Sequence, residues 1–238
     1  MGNIHFRFGQ FTVKDTRSTM RVGTDAMLLG SWAGSDLPDP LPILDIGTGC
    51  GVLALMMAQK SYTLVHAVEP DEDSCTEAVE NFNHSPWKHR IQVFREKVQD
   101  FAKKRPDHYG YIFSNPPFFD RDLPSPKQRK NLARHQQSLP LSDLFQAGTT
   151  LLHITGRMAL IVPFDQTTSC INLATGHGLY LHRSLTVTSK PGKSPFRSLM
   201  EFGFNQPVVP DTTLLTLLDA DGRYSSEYLE LTCEYHSF

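Results

Sequence analysis

A short apolar run that ends in three closely spaced glycines, Ile43-Leu-Asp-Ile-Gly-Thr-Gly-Cys-Gly51, most constrains the fold of this chain. Its first four residues predict a buried strand, and the apolar residues that follow predict a helix at Val52–Gln59, directly after the glycines. Glycine allows the tight turn and the unusual backbone angles that such a junction needs. A strand that turns at once into a helix is the first half of a βαβ unit, so the sequence predicts a parallel sheet.

The alternation of strands and helices continues along the chain. Strands are predicted at Leu64–Glu69, Ile91–Arg95, Tyr109–Ser114 and Arg157–Pro163, and helices at Asp71–Phe82 and Leu141–Leu152. Further strand-like runs follow at Leu179–Thr188, Ser198–Phe204 and Thr213–Leu218, with a last helix near Ser226–Tyr235. Because no long helix separates these last runs, we expect an α/β fold with a doubly wound, mostly parallel sheet and antiparallel C-terminal strands.

Two units are predicted. Residues 1–41 form a short N-terminal annex that packs on the core, and residues 42–238 form the main domain. The annex holds a hairpin or strand at Phe6–Val13 and a helix that runs to Trp32. The side chain of Thr24 or Asp25 can cap this helix by accepting hydrogen bonds from its first free amides.

Charge is distributed unevenly along the chain, although the net charge is only −2. Residues 35–87 contain one basic and nine acidic side chains, for a charge of 1 − 9 = −8. Residues 88–134 contain twelve basic and five acidic side chains, for a charge of 12 − 5 = +7. Charges that merely solubilise a surface are mixed, so the basic block predicts an anionic partner.

Several classes of protein are disfavoured. The longest apolar run, Val52–Ala58, is far shorter than the about 20 residues that span a bilayer, and the N-terminus lacks the apolar stretch of a signal peptide. The four cysteines lie 25, 95 and 63 residues apart, which indicates neither a zinc site nor a disulfide scaffold. We therefore expect a cytoplasmic protein with no metal, no membrane contact and no obligate protein partner.

The glycine loop points to a cationic nucleoside. Its spacing is Gly-x-Gly-x-Gly, at Gly47, Gly49 and Gly51, and not the longer spacing with which nicotinamide oxidoreductases bind a pyrophosphate. Asp45 stands two residues before the first glycine, where a carboxylate suits a cation better than a phosphate. Glu69, at the end of the second predicted strand, can accept hydrogen bonds from both hydroxyls of a ribose. A cationic nucleoside without phosphate is S-adenosylmethionine (SAM).

This arrangement resembles the class I SAM-dependent methyltransferases over roughly residues 42–163. The resemblance implies a Rossmann-like sheet of seven strands, with Asp45 on the amino-acid part of SAM and Glu69 on its ribose. It also implies that an acid after the third strand lies near the adenine amino group. Asp100 is assigned to that position, with Val98 and Gln99 as alternatives.

A second motif, Ser114-Asn-Pro-Pro-Phe118, follows the fourth predicted strand. After that strand of a SAM domain, it resembles the motif of enzymes that methylate planar exocyclic or amide nitrogens. The side-chain oxygen of Asn115 and the carbonyl of Pro116 can accept both N–H bonds of an amino group, and Phe118 offers a face for stacking. Asn115, which also adjoins the SAM site, Pro116 and Phe118 are therefore the predicted catalytic residues. The motif contains no cysteine, which argues against a thiolate mechanism.

Three acceptors suit this motif: adenine N6, guanine N2 of ribosomal or transfer RNA, and the amide N5 of a protein glutamine. Flanking segments narrow the choice, namely Phe8–Val13, Met20–Trp32, Asn83–Trp87, Asn131–His135 and Tyr224–Tyr228. These segments resemble the bacterial valine-tRNA adenine-N6 methyltransferases, which implies methylation of the adenine 3′ of the anticodon. A SAM-binding RNA module without catalysis is the alternative from another class.

Two groups of basic side chains are the candidate tRNA contacts, because cations bind RNA phosphates. Four follow the second motif directly, namely Lys127, Arg129, Lys130 and Arg134. Three lie in or beside the predicted hairpin loop at 189–195 and offer a second contact, namely Lys190, Lys193 and Arg197.

Asp25 has two interpretations. In the family that the flanks resemble, Gly23-Thr-Asp25 precedes the SAM pocket, so Asp25 is either a cofactor contact that helps to close it or only a helix cap.

Overall fold

The computed structural model of the protein describes residues 5–18, 20–34, 40–106, 108–117 and 139–235. In chain order its strands are β1 (His5–Arg7), β2 (Thr12–Lys14), β3 (Ile43–Ile46), β4 (Val65–Val68), β5 (Ile91–Phe94), β6 (Tyr109–Ser114), β7 (Leu152–Pro163), β8 (Tyr180–Thr188), β9 (Pro195–Gly203) and β10 (Asp211–Thr216). Its α-helices are α1 (Thr24–Trp32), α2 (Val52–Lys60), α3 (Glu72–Asn83), α4 (Val98–Ala102), α5 (Leu141–Leu151), α6 (Thr167–Gly176) and α7 (Ser226–Thr232). Short 3-10 helices lie at Phe164–Gln166 and Cys233–Tyr235.

Eight of these strands form one sheet, in the order β10-β8-β9-β7-β6-β3-β4-β5. Strands β7, β6, β3, β4 and β5 are mutually parallel, whereas β9 is antiparallel to both of its neighbours, β7 and β8. The order reverses at β3, because the chain next adds β4 and β5 on one side and later β6 and β7 on the other. In open α/β sheets such a reversal forms a crevice outside the carboxyl ends of the strands, where ligands bind.

The doubly wound α/β fold is confirmed, with three differences from the sequence prediction. The large sheet has eight strands rather than seven, and the extra edge strand β10 pairs in parallel with β8. Leu152 begins β7 instead of ending the preceding helix. The helices α4 and α6 were not predicted; α4 has only five residues, too few to show a clear apolar period.

Apolar side chains pack on both faces of the large sheet. One cluster joins the sheet to α1, α2 and the C-terminal Tyr228 and Tyr235, and the other joins it to α4, α5 and α6. The short helix α2 is apolar almost all round, which explains why Val52–Ala58 is buried along its whole length. None of the helices that the structure describes has the length and apolar character needed to cross a membrane.

The predicted N-terminal hairpin is also confirmed. Strands β1 and β2 pair antiparallel, and the rings of Phe8 and Phe11 stack in the connection between them at a centroid distance of 4.5 Å. Phe11 also meets the edge of Trp87, which follows α3. These aromatic contacts attach the hairpin to the main sheet's helical layer.

Candidate functional site

Three polar side chains meet at one edge of the large sheet. Asp45 lies in β3, Glu69 follows β4 directly, and Asn115 follows β6 directly. Strands β6, β3 and β4 are adjacent and parallel, so their carboxyl ends lie side by side. The hydroxyl of Ser114 donates to the carbonyl of Ile46 over 2.8 Å and joins the ends of β6 and β3. Asp45, Glu69 and Asn115 are thus brought to the crevice at the reversal point.

The glycine loop after β3 is held to the next strand through its backbone. The amides of Gly47 and Thr48 donate to the carbonyl of Val68 over 2.9 and 3.3 Å. Gly47, Gly49 and Gly51 all have left-handed φ angles, of 74°, 55° and 87°, which residues that carry a Cβ rarely adopt. A Cβ on Gly47 would meet nothing within 4 Å, so open space lies beside the backbone there.

Gly51 is required for a different reason. A Cβ on it would lie 2.4 Å from the ring of Phe82 in α3, so this glycine permits close packing of the loop against the helix. Its role in the structure is therefore contact with Phe82, while the open space lies at Gly47.

Asp45 is a fully buried carboxylate with one unused oxygen. Its Oδ2 accepts a hydrogen bond from the hydroxyl of Thr48 at 2.5 Å, whereas Oδ1 has no partner among the described residues. Burial, together with the nearby charge of Glu69, raises the pKa of Asp45 to about 7, and the hydroxyl of Thr48 and the backbone amide of Ala54 only partly oppose that shift. A buried acceptor of this kind is costly unless a ligand donates to it.

Glu69 is fixed by two backbone amides. Its Oε2 accepts from Gly49 and its Oε1 from Asp71, each over 3.0 Å. Burial raises the pKa of Glu69, and these two hydrogen bonds act against the rise. The carboxylate is therefore held in one orientation beside the glycine loop, with remaining lone pairs for a ligand's hydroxyls.

The Asn-Pro-Pro motif contributes a second unused acceptor. The Oδ1 of Asn115 is buried and has no partner among the described residues, and Pro116 is buried beside it. Such orphaned buried oxygens are uncommon in folded proteins. Phe118, Lys127, Arg129, Lys130 and Arg134 lie outside the residues that the structure describes.

The sequence of this chain is similar to those of known methyltransferases. The family described as methyltransferase small domain matches residues 34–165. A tRNA1(Val) (adenine(37)-N6)-methyltransferase of Parabacteroides distasonis is 37% identical over 236 residues, which cover 99% of each chain. The chain therefore belongs to the methyltransferase family that this domain and this relative represent. A protein of the same name from Bacteroides thetaiotaomicron is 41% identical over 239 residues, covering 99% of this chain and 98% of that one.

The fold of this methyltransferase has solved counterparts. The crystal structure of an Agrobacterium tumefaciens protein named as a predicted O-methyltransferase superposes with a TM-score of 0.69 at 16% sequence identity. The match covers 90% of this chain and 98% of that one. At so low an identity the likeness establishes the Rossmann-like architecture alone.

Asp100 has no described contact with the glycine loop. Asp100 lies in α4 as an exposed side chain that pairs with Lys103 at 2.9 Å, and this partner lowers its pKa. Of the two alternatives for that position, Val98 is buried, and Gln99 donates to Asp143 over 3.0 Å. No described contact joins any of the three to Asp45, Glu69 or the glycines, so the adenine contact stays a prediction.

Asp25 does not cap α1, which corrects one interpretation of it. Gly23 precedes the helix, and no side chain caps its first turn. Asp25 instead pairs with Arg197 in β9, whose Nε donates to both carboxylate oxygens over 2.9 and 3.0 Å. Arg197 was predicted as an RNA contact, and no local pattern indicates this pairing of residues 172 positions apart.

Lys190 and Lys193 lie in the exposed turn between β8 and β9. Because β8 and β9 are antiparallel, and β9 is antiparallel to β7, this turn lies at the same edge of the sheet as Asn115. Neither lysine forms an ion pair with any residue that the structure describes. Their exposure suits contact with a large anionic molecule.

Proposed function

We propose that this protein transfers a methyl group from SAM to the exocyclic N6 of adenine 37, 3′ of the anticodon, in tRNA1(Val). The observation that carries the proposal is the buried Oδ1 of Asn115, which has no partner among the described residues and follows the strand next to the one that leads into the glycine loop. The names of the full-length relatives supply the acceptor, since both are tRNA1(Val) (adenine(37)-N6)-methyltransferases.

The residues present fit a cationic nucleoside. The free Oδ1 of Asp45 would accept from the ammonium of the amino-acid part, and the two oxygens of Glu69 would accept from the ribose hydroxyls. The open space at Gly47 would admit the ligand against the backbone. When bound, SAM supplies an electrophilic methyl group on a sulfonium.

The chain's part in the transfer is positioning. The Oδ1 of Asn115 and the carbonyl of Pro116 would accept the two N–H bonds of the amino group and hold its lone pair toward the methyl group. The lone pair of an adenine amino group is delocalised into the ring, so these acceptors favour the more reactive tetrahedral geometry. The methylated nitrogen would become cationic and acidic, so it would lose one proton to these acceptors, and no strong general base is required.

Recognition of the tRNA is assigned to the aromatic and basic residues around this edge. Phe118 would stack on the target base, and Lys190, Lys193 and the basic residues of 127–134 would bind phosphates near it. Arg197 enters this set only if RNA competes with Asp25 for its guanidinium. We retain the division into an annex, residues 1–41, and a main domain, residues 42–238, and a cytoplasmic location, where tRNA is found.

The test is identification of the product. Unmodified tRNA is incubated with the protein and labelled SAM and then digested, and the methylated nucleoside is identified by mass and retention. We expect N6-methyladenosine, formed on whole tRNA more readily than on a short oligonucleotide. Recovery of N2-methylguanosine, methyl groups only on a protein glutamine, or SAM binding without transfer would each contradict the proposal.

A further inference from the structure

The segment that connects β2 to the first turn of α1, described at residues 15–18 and 20–25 and here called the strap, is anchored at both ends. At one end lies Glu77, a side chain of α3 that is completely buried. At the other end Asp25 pairs with Arg197.

Glu77 binds the strap with both of its oxygens. Oε1 accepts from the amide and the hydroxyl of Thr16, each over 2.7 Å, and from the amide of Arg17 over 3.0 Å. Oε2 accepts from the amides of Arg17 and Ser18 over 3.1 and 2.8 Å. Burial acts to raise the pKa of Glu77, but these hydrogen bonds outweigh it and lower the pKa, so the group is ionised at neutral pH.

A second side chain of α3 links the same region to the cofactor loop. Asn81 stands one helical turn after Glu77, and its Nδ2 donates to the carbonyls of Lys14 and Cys50 over 2.9 and 2.8 Å. The hydroxyl of Ser18 lies only 3.1 Å from the point that a Cβ on Gly49 would occupy. The strap therefore lies against the glycine loop, next to Gly49, whose amide binds Glu69.

We propose that the strap is a wall of the cofactor pocket and that Glu77 is the positioning residue that holds it there. The proposal rests on the proposed function in taking SAM as the ligand. A carboxylate bonded to three consecutive amides fixes the backbone of that segment, and charge-assisted hydrogen bonds of this type are the strong ones. Glu77 itself touches no reacting atom; it acts on the ligand through Thr16, Arg17 and Ser18.

The decisive substitution is Glu77→Gln. It preserves size but replaces one acceptor oxygen by an NH2 group, which must face amide donors whichever way the side chain is turned. The matched control is Glu80→Gln, on the same helix, which removes the half-exposed ion pairs to Arg17 and Lys14 but leaves the amides of residues 16–18 with their acceptor. Ion pairs that water reaches contribute little.

The probe is S-adenosylhomocysteine, titrated calorimetrically into the full-length protein, with amide hydrogen exchange of residues 16–18 as a second measurement. We expect Glu77→Gln to weaken binding by about tenfold or more, because buried donors lose their acceptor. Exchange at residues 16–18 should accelerate and slow again when ligand is added. Glu80→Gln should bind within about twofold of the wild type.

If Glu77→Gln fails to fold, Thr16→Val decides, since it removes only the hydroxyl donor; there we expect about a threefold loss of affinity. The proposal is contradicted if the deciding variant, Glu77→Gln or Thr16→Val, binds with wild-type affinity although exchange at residues 16–18 has accelerated. That result would show that the strap is not a wall of the pocket. It would leave the proposed function intact. A wild-type protein that does not bind S-adenosylhomocysteine would overturn both.

Discussion

The two sides of the functional edge use charge in opposite ways. On the side of β3, β4 and α3, the acids Asp45, Glu69 and Glu77 are buried. On the side of β8 and β9, Lys190 and Lys193 are exposed. The sequence also separates charge, with −8 over residues 35–87, which contain these three acids, and +7 over residues 88–134. An anionic pocket suits a cationic cofactor. Lys190 and Lys193, here called the basic rim, suit a polyanionic substrate.

The difference in burial predicts a difference in sensitivity. Buried carboxylates with fixed hydrogen bonds act in low dielectric, so one substitution should have a large effect that salt hardly screens. Exposed cations contribute one by one, and salt screens them strongly. The predictions that follow test this contrast, beginning with the largest expected effect.

On the cofactor side, Gly47→Val should reduce S-adenosylhomocysteine binding to below detection in calorimetry. A side chain would fill the open space where the ligand approaches the backbone. The control is Gly178→Val, which has nearly the same φ, 78° against 74°, and equally open space but lies at the opposite edge of the sheet. Equal loss of binding in both variants would mean that backbone strain, and not the pocket, is responsible.

Between the two sides lies Asn115. The variant Asn115→Ala should lose methyl transfer while it keeps cofactor binding. We expect methyl transfer to tRNA to fall by about 10²–10³, by analogy with the loss of one positioned donor from an oxyanion hole. Affinity for S-adenosylhomocysteine should stay close to the wild type. The exposed Asn172 of α6 offers a control, Asn172→Ala. A rate for Asn115→Ala within about threefold of the wild type would contradict its role.

Local patterns predicted most of the fold and the central part of the site. The spacing of Asp45 and the glycines, and the acid after the next strand, correctly predicted that Asp45, the glycine loop and Glu69 lie at one edge of the sheet, because adjacent parallel strands end at the same edge. The predicted contacts of these residues with ligand remain predictions.

Long-range pairings were not predictable in the same way. Glu77 has the pattern of an ordinary helical acid, and nothing local indicates that it binds residues 16–18, about 60 positions away. The ion pair of Asp25 with Arg197 and the parallel attachment of β10 depend likewise on packing between distant segments. The strand β10 follows β9 without a long helix, which suggested an antiparallel pairing that the structure contradicts for the pair β10–β8.

The cofactor side should also respond to pH. The pKa of Asp45 is raised to about 7, and the ionised form is the one that binds a cation. Affinity for S-adenosylhomocysteine should therefore increase roughly tenfold between pH 6 and pH 8 and then level off, with proton release on binding. Calorimetry across this range measures both quantities. Asp45→Asn should bind weakly with no such dependence; the same pH profile in that variant would assign the titration to another group.

The substrate side should show the smallest effect for each substitution and the strongest dependence on salt. Removing one cation that binds a phosphate should reduce the slope of log affinity for tRNA against log salt by about one unit. We therefore expect the double variant Lys190→Gln/Lys193→Gln to lower that slope by about two, with S-adenosylhomocysteine affinity unchanged. Lys88→Gln is the matched control, because Lys88 is equally exposed but precedes β5 at the opposite edge of the sheet. If all three lysines change the slope alike, the tRNA responds to overall charge; if only the double variant does, the basic rim beside Asn115 is its binding surface.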